Sequence, residues 1–389
     1  MKTMKHKSWL LAALLLLVVA AGCQRRPLEV MIGTTARVIV KVAWDIAVDT
    51  QVEIDPDLAK PTGVTLYFFR DGQYYNTITT SMVDEIEVQL EKGVYKIYMI
   101  GQSPEEYWRM QFENMTDYDR AAARLRENTT ALWAARKSEG DEEPVVENPE
   151  ILYAGVSDEF EITEKMTEDF QYYYTNLTKL RRAAAAQEDK TKGGAKGTKS
   201  DDEIYYEEQV ERVTVHVPIA ASNAVSQFQV RVYARNVDLL QALRASTSGM
   251  ARTLLITSGK TGDETGIQMI REWKLVMDDE ANKIGHLDGI ITSFGLPNSE
   301  SGSADRDPSL NVSALMVDNS TVADFTFEVG DMIRKLDPNP GYKHLFQLIL
   351  GSVEEPAMVL PLVDPEPTGG GFTAGVVDWE EEVNVDVII

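Results

Sequence analysis

The sequence of 389 residues is poor in cysteine and histidine, with one Cys and four His. A single cysteine excludes an intramolecular disulfide framework and every multi-cysteine zinc or iron–sulfur site. The four histidines are scattered along the chain and leave little material for a histidine-based metal centre. We therefore expect neither a metal nor a cofactor.

Basic residues are also scarce, with 38 Lys and Arg against 62 Asp and Glu, for a net charge of −24. Proteins bind a phosphate backbone through clusters of Lys and Arg that release its counterions. The charge balance therefore argues against a nucleic-acid partner. The length corresponds to two or three domains of about 150 residues each.

The only long apolar run lies at the start of the chain. A positive segment with Lys2, Lys5 and Lys7 precedes the apolar residues 9–19, and the small residues 20–22 follow them. This pattern is typical of a signal peptide, here residues 1–22, and the run is shorter than the about 20 apolar residues of a membrane span.

Cys23, the only cysteine, comes directly after these small residues, and this arrangement resembles the lipobox of bacterial lipoproteins, with Ala20 where Leu is commoner. The resemblance implies that Cys23 is joined to lipid acyl chains such as palmitate and becomes the mature N-terminus. Residues 23–35 would then be a lipidated tether. An ordinary secretory signal with an incidental cysteine and a short membrane anchor remain alternatives.

Short alternating segments with turn signals between them predict a mainly β fold. Val38, Val40 and Val42 share one face of a predicted strand, and Asp71-Gly72 predicts a two-residue hairpin turn. No helical crossovers separate these strands, which favours β-sandwich domains.

Composition divides the mature chain into two predicted domains. The first spans residues 36–182 and carries a helical insertion at about 104–137, which begins at Ser103-Pro104 and is rich in helix formers. Residues 183–203 contain no aromatic or branched aliphatic side chain whose burial could order them. They are therefore predicted to be a disordered linker or loop. The second domain spans residues 204–389.

The chain ends in an apolar alternating segment, residues 383–389. A strand in this position is either paired in its own sheet or available to the sheet edge of another chain. Both interpretations stay open at this point.

The sequence carries no recognisable catalytic motif. Gly259-Lys260-Thr261 resembles half of a phosphate-binding loop, but Leu254 stands where the loop requires glycine. We therefore predict no catalytic residues and no enzymatic activity. A hydrolase with two unrecognised carboxylates remains a third hypothesis.

One cluster of aromatic residues, Tyr172, Tyr173, Tyr174, Tyr205 and Tyr206, could stack on sugar rings if the rings were exposed in a row. In a β-rich chain such residues are more often half-buried in strands, and this is the interpretation we favour. A surface glycan-binding lipoprotein is accordingly the alternative function.

Several segments together resemble the fimbrillin-like lipoproteins of Bacteroidetes, which are related to type V pilus subunits and anchors. They are the lipobox at Cys23, residues 42–45, 93–98 and 285–289, and the closing residues 371–387. The resemblance implies two transthyretin-like β-sandwich domains, an outer-membrane location that is surface-exposed or fimbrial, and a role in fimbrial assembly, anchoring or adhesion. The implied partners are the membrane, through Cys23, and pilus subunits or other envelope proteins.

The resemblance also suggests a processing step. In the polymerising relatives a protease cuts after an arginine and frees a groove, which the terminal strand of a neighbour fills. Arg37 and Arg181-Arg182 are the candidate positions here. Without such a cut, the lipid would stay attached and the protein would act as an anchor or a stand-alone surface protein.

Overall fold

A computed structural model describes residues 34–46, 60–128, 143–188, 199–297, 307–336 and 345–364. Within these residues the chain is mainly β, which confirms the predicted fold class. The elements that precede the helical region are, in chain order, β1 (Thr35–Asp45), β2 (Val64–Arg70), β3 (Gln73–Thr80), β4 (Glu85–Glu91), β5 (Gly93–Gly101), β6 (Met110–Glu113), β7 (Ala122–Leu125), β8 (Val145–Val146), β9 (Tyr153–Val156) and β10 (Phe160–Ile162).

Two helices, α1 (Glu164–Glu188) and α2 (Asp201–Arg212), lie in the middle of the chain, and a short helix, α3 (Gly330–Lys335), lies near its end. The remaining strands are β11 (Val215–Asn223), β12 (Ser226–Arg235), β13 (Leu240–Ala251), β14 (Thr253–Leu255), β15 (Thr265–Asp279), β16 (Ile284–Ser293), β17 (Ser309–Met316), β18 (Val322–Glu328), β19 (Leu345–Leu350) and β20 (Met358–Val359).

The first sheet has the strand order β3-β2-β5-β9-β11-β1-β4 in the described part of the chain, with β10 beside β5. The predicted buried face of β1 is confirmed, because Val38, Val40 and Val42 are all buried. Each fully buried valine contributes about 1.5–3 kcal/mol relative to an exposed one. The predicted hairpin turn is confirmed as well, since Asp71 and Gly72 both have positive φ, 51° and 77°.

A second sheet folds over on itself to enclose one core. Its strand order is β18-β17-β13-β15-β16-β12-β19, with β20 beside β12 and β8 beside β15. The long strand β15 pairs with β13 through residues 265–270 and with β16 through residues 271–279. Side chains from both halves, among them Val230, Leu243 and Trp273, pack in a single cluster. The arrangement is that of a sandwich in which one strand passes between the two layers.

The predicted helical insertion at 104–137 is wrong over its described part. Only Pro104–Glu106 forms a single 3₁₀ turn, and β6 and β7 follow; β7 pairs with β6 on one side and with β14 on the other in a small third sheet. Ala121, Ala123 and Leu125 are fully buried in the core beside this sheet. The burial of these side chains outweighs the helix propensity of the Ala- and Arg-rich sequence. Residues 129–137 lie outside the described residues.

The prediction of a disordered linker at 183–203 is also wrong where it can be compared. Residues 183–188 belong to α1 and residues 201–203 to α2, whereas residues 189–198 lie outside the described chain. Alanine has the highest helix propensity and continues α1. Ser200 begins α2, because its hydroxyl oxygen accepts the backbone N–H of Glu203 at 3.2 Å.

By compactness the chain divides into two units. One comprises the described residues up to 37, residues 89–92 and residues 163–214, and the other comprises the remaining described residues. Strand β11 lies beyond the predicted domain boundary at 204, yet it pairs with β1 and β9 in the first sheet. The boundary therefore does not coincide with the division between sheets, and two sandwich domains stay a prediction.

Gly155 is the position at which a single added methyl group should disturb the first sheet. A Cβ atom there would lie 2.6 Å from the carbonyl oxygen of Ala220 in β11. We expect Gly155→Ala to lower the free energy of unfolding by about 1–3 kcal/mol, because backbone must shift to relieve the overlap. Urea unfolding measures this change.

Gly262→Ala is the matched control, since its Cβ atom would meet Thr253 only at 3.4 Å. It should change the free energy of unfolding by no more than about 0.5 kcal/mol. Equal unfolding midpoints for the two variants would contradict the tight approach of β9 and β11.

Candidate functional site

Strand β1, the candidate site of processing and strand exchange, has neighbours on both sides. It pairs in parallel with β11, from Val38 opposite Val215 to Asp45 opposite Ser222. On its other side the backbone N–H of Val42 donates to the carbonyl oxygen of Asp84 at 2.8 Å, just before β4. The position of β1 in the sheet is therefore filled by the chain itself.

The far end of β1 is held by its tryptophan. The indole N–H of Trp44 donates to the carbonyl oxygen of Val83 at 3.2 Å, and its ring meets the edge of the Tyr153 ring at 5.6 Å between centroids. An aromatic pair of this geometry contributes about 0.5–1.5 kcal/mol beyond the area that it buries. These contacts fix the residues that follow the valines of β1.

Arg37, at the start of β1, is held by the end of α2. Its guanidinium group donates to Glu211 Oε2 at 3.0 Å and to the hydroxyl of Thr214 at 3.3 Å. The Thr214 hydroxyl in turn donates to the carbonyl oxygen of Val210 at 2.8 Å. The side chain of Arg37 is only 21% exposed.

This placement makes Arg37 a poor position for a cut that would free β1. Proteolysis concentrates at exposed loop tips and termini, whereas the bond after Arg37 leads directly into the paired residue Val38. A cut there would remove only Thr35–Arg37 from the strand. The next arginine in the sequence is Arg70, at the end of β2, so no cut after an arginine can separate β1 alone.

The second candidate position, Arg181-Arg182, lies inside α1. The guanidinium of Arg181 pairs with Glu203 and Glu207 of α2. Hydrogen bonds from Lys199 and Arg181 lower the pKa of the Glu207 carboxyl group, which is consistent with an ion-paired carboxylate. Helical backbone does not present the extended bond that a protease requires, so this position is not a processing loop.

Residues 285–289, one of the segments behind the family resemblance, are structural in β16. A Cβ atom on Gly289 would lie 2.9 Å from the ring of Trp273, so glycine leaves the space that the buried tryptophan fills. His286 Nδ1 lies 2.7 Å from Asp278 Oδ2, and Asp288 accepts two hydrogen bonds of 2.7 Å from Arg231. The pKa of Arg231 is raised chiefly by these bonds to Asp288.

The interpretation of the tyrosines as half-buried strand residues is wrong, because all five lie on α1 and α2. Tyr174 stacks on Phe170 between the helices, with 5.2 Å between ring centroids. Tyr172 and Tyr205, in contrast, are 60% and 50% exposed. The sequence signal that could have placed them correctly is the spacing of Phe170, Tyr174 and Leu177, which is helical rather than alternating.

Trp108 is an exposed aromatic residue that the sequence analysis missed, because it lies within the wrongly predicted helix. Its side chain is 85% exposed. The backbone N–H groups of Trp108 and Arg109 both donate to the carboxylate of Glu150, at 2.8 and 3.0 Å. The preceding Tyr107 is buried, and its hydroxyl donates to the carbonyl oxygen of Gly101. The loop is thus fixed while the indole points to solvent.

Three predicted features lie outside the described residues, namely the signal peptide at 1–22, Cys23 and the terminal segment 383–389. All three stay predictions. Within the described ranges, no helix combines the length and the apolar character needed to cross a membrane. The same ranges contain no group of three or more His, Cys, Asp and Glu side chains that could hold a metal ion.

These observations define a β-sheet protein whose first described strand is part of its own sheet and in which a few aromatic side chains, among them Trp108, Tyr172 and Tyr205, are exposed. The chain belongs to a family that is described as a domain of unknown function, DUF5119, which matches residues 22–270. No curated protein matches the chain.

Among solved structures, the chain is similar to a candidate adhesin from Bacteroides ovatus, with 16% identity and a TM-score of 0.49, over 90% of this chain and 99% of that one. It is also similar to the fimbrial anchor protein Mfa2 from Porphyromonas gingivalis, with 13% identity and a TM-score of 0.43, over 81% and 90%. A fimbrial assembly protein from Parabacteroides distasonis matches with 9% identity and a TM-score of 0.31, over 82% and 93%. They are proteins of the kind that the sequence resemblance named.

The placement of the two arginine positions predicts how the folded chain responds to an arginine-specific protease. We expect the bonds after Arg37 and Arg181 to stay intact in buffer, because one is in a paired strand and the other in a helix. Both should be cut in a denaturing concentration of urea that the protease tolerates. Peptide mass mapping at short digestion times measures the order of cleavage, and early cleavage after Arg37 in buffer would contradict the placement of β1.

Proposed function

We propose that this chain is a lipid-anchored, non-enzymatic protein of the cell envelope, of the fimbrillin-like kind, that acts in fimbrial assembly, anchoring or adhesion. It would be attached to the outer membrane through Cys23 and would contact pilus subunits or other envelope proteins through sheet edges. The sequence resemblance supports the class of protein, and the position of β1 supports the role within that class.

The position of β1 is the observation that carries the proposal. A polymerising subunit needs an open groove that a neighbour can fill, whereas here β1 fills its own place between β11 and β4. Arg37 is held by Glu211 and Thr214, and residues 38–69 contain no arginine. The bond after Arg37 leads into a paired strand and the Arg37 side chain is only 21% exposed, so cleavage at this position is disfavoured and the geometry favours retention of the N-terminal lipid.

The composition supports lipid rather than charge as the means of attachment. A net charge of −24 is repelled by anionic membrane surfaces. Each buried methylene of an acyl chain contributes about 0.8 kcal/mol, so several acyl chains on Cys23 would hold a chain of this charge.

The sheet edges support contacts through added strands. In the described chain the first sheet has the edge strands β3 and β4 and the second has β18 and β19; β3 and β19 contain no charged residue, whereas β4 and β18 do. Edge strands commonly carry charges that prevent pairing with another chain. The absence of such charges leaves the backbone groups of β3 and β19 suited to pairing with an extended segment of a partner.

Fractionation of cells that produce the full-length chain tests the proposal. We expect the mature protein to begin at an acylated Cys23 and to remain with the outer membrane, and Cys23→Ser to release it into the soluble fraction. A variant without residues 383–389 should stay membrane-bound but lose its partners in the fimbrial fraction. Mass spectrometry of the N-terminal peptide and immunoblotting of the fractions measure both properties.

The control is Thr373→Ser, which alters the closing segment outside residues 383–389. This variant should show the same membrane attachment and the same fimbrial fraction as the unaltered chain. A mature N-terminus at Val38 would contradict the retained anchor. An unchanged fimbrial fraction after removal of residues 383–389 would contradict contacts through the terminal strand.

A second candidate function, glycan binding at the cell surface, is favoured by the exposure of Trp108. Indole rings stack on the apolar faces of sugars, and the Glu150 contacts hold the backbone that carries this ring. Binding of the full chain to immobilised glycans should fall about tenfold in Trp108→Ala, since loss of an aromatic contact of about 1.4 kcal/mol corresponds to a tenfold change in affinity. Trp108→Phe should retain part of the binding, and a glycan array without hits for the unaltered chain would remove this candidate.

A further inference from the structure

The helical pair α1–α2 carries an exposed aromatic surface, which we call the tyrosine surface and define as Tyr172, Tyr173, Tyr205 and Tyr206. The rings form a continuous row. Tyr172 and Tyr173 lie 5.2 Å apart between centroids, Tyr173 and Tyr206 lie 6.5 Å apart, and Tyr206 and Tyr205 lie 5.2 Å apart. The two outer rings are the exposed ones.

The inner rings rest on the small core of the helical pair. Phe170, Leu177 and Val210 are buried between α1 and α2, and Tyr173 and Tyr206 pack against them. Loss of solvent contact and a hydrogen bond with Tyr172 raise the pKa of the Tyr206 phenol. The outer rings of Tyr172 and Tyr205 are therefore supported from below rather than freely rotating on a bare helix.

The residues that flank the exposed rings are acidic. On a helix the neighbours of a side chain lie three and four positions away. Around Tyr172 and Tyr205 these positions hold five acids and no basic residue; the acids are Glu168, Asp169, Asp201, Asp202 and Glu208. Within the described chain none of these five forms an ion pair, whereas Glu203 and Glu207 are paired with Arg181 on the other side of α2.

We propose that the tyrosine surface binds a lysine- or arginine-bearing segment of a partner protein. The face of a phenol ring attracts a cation placed over it, and the effect adds to the attraction of nearby carboxylates. Two exposed rings bordered by five acids that form no ion pair with any described residue combine both contributions in one place. The methylene groups of Lys and Arg side chains can also pack against the apolar faces of these rings.

Charge argues against three other occupants. A second copy of this chain carries the same net charge of −24 and would bring acids against acids. Nucleic acid and acidic polysaccharide are excluded for the same reason. A neutral saccharide could stack on the rings but would leave the five acids unused, so a basic segment is the partner that the whole surface fits.

The inference does not depend on the proposed function, because it concerns α1 and α2 rather than the sheet edges or Cys23. The probe is a fluorescein-labelled octalysine peptide, titrated by anisotropy against the full mature chain at ~150 mM salt, where long-range attraction by the net charge is screened. The double substitution Tyr172→Ala with Tyr205→Ala should raise Kd about tenfold. Tyr172→Phe with Tyr205→Phe should leave Kd within about twofold, since the rings remain.

A charge-matched pair of variants separates the local acids from the overall charge. Asp202→Asn with Glu208→Gln removes two charges beside Tyr205, and Glu280→Gln with Glu328→Gln removes two exposed charges from the other unit. We expect a larger rise of Kd in the first pair than in the second. Circular dichroism and the thermal midpoint should be unchanged in the tyrosine variants, because both side chains are exposed.

Three results would overturn the proposal. The first is an octalysine Kd that is the same in the alanine variant and the unaltered chain, and the second is an equal effect of the two charge-matched variants. The third is loss of binding to a neutral oligosaccharide, maltoheptaose, in the alanine variant while octalysine binding persists. That last result would assign the surface to glycan.

Discussion

The parallel pairing of β1 with β11 is the contact on which the rest of the first sheet depends. It joins residues near the start of the described chain to residues beyond its middle, from Val38 opposite Val215 onward. Parallel strands need a long connection, and here the connection contains β2 to β10 and both long helices. Because β1 also borders β4, its removal would open the sheet between two strands rather than trim an edge.

The same pairing links the fold to the proposed role. Buried valines on one face and backbone hydrogen bonds on both sides hold β1 in place, and Arg37 is attached to the end of α2 rather than exposed in a loop. A chain built in this way completes its first sheet from its own residues. Under the proposals made above, contacts with partners would use the surfaces that remain, namely the uncharged edges β3 and β19, the exposed Trp108 and the tyrosine surface.

The sequence was informative where local pattern and tertiary packing agree. The alternation of Val38, Val40 and Val42 and the Asp71-Gly72 turn predicted β1 and the first hairpin correctly, because each depends only on neighbouring residues. It failed at Ala121–Leu125, where helix-forming residues are recruited as a strand by a buried position between β6 and β14. It failed again at 183–188, where low hydrophobicity suggested disorder but alanine continues a helix that is already anchored by packing.

The candidate sites show the same limit. A pattern marks Arg37 as a possible cut, but only the register of β1 shows that such a cut would leave the strand in place. Exposure of Trp108, Tyr172 and Tyr205 depends on contacts between distant segments and cannot be read from spacing alone. The most direct test of the central account is native-state hydrogen exchange of the folded chain, followed for the backbone amides of Val38–Trp44. The account predicts that the hydrogen-bonded amides in this segment exchange as slowly as those of β11, whereas exchange at the rate of an unfolded chain would show that β1 does not occupy its own sheet.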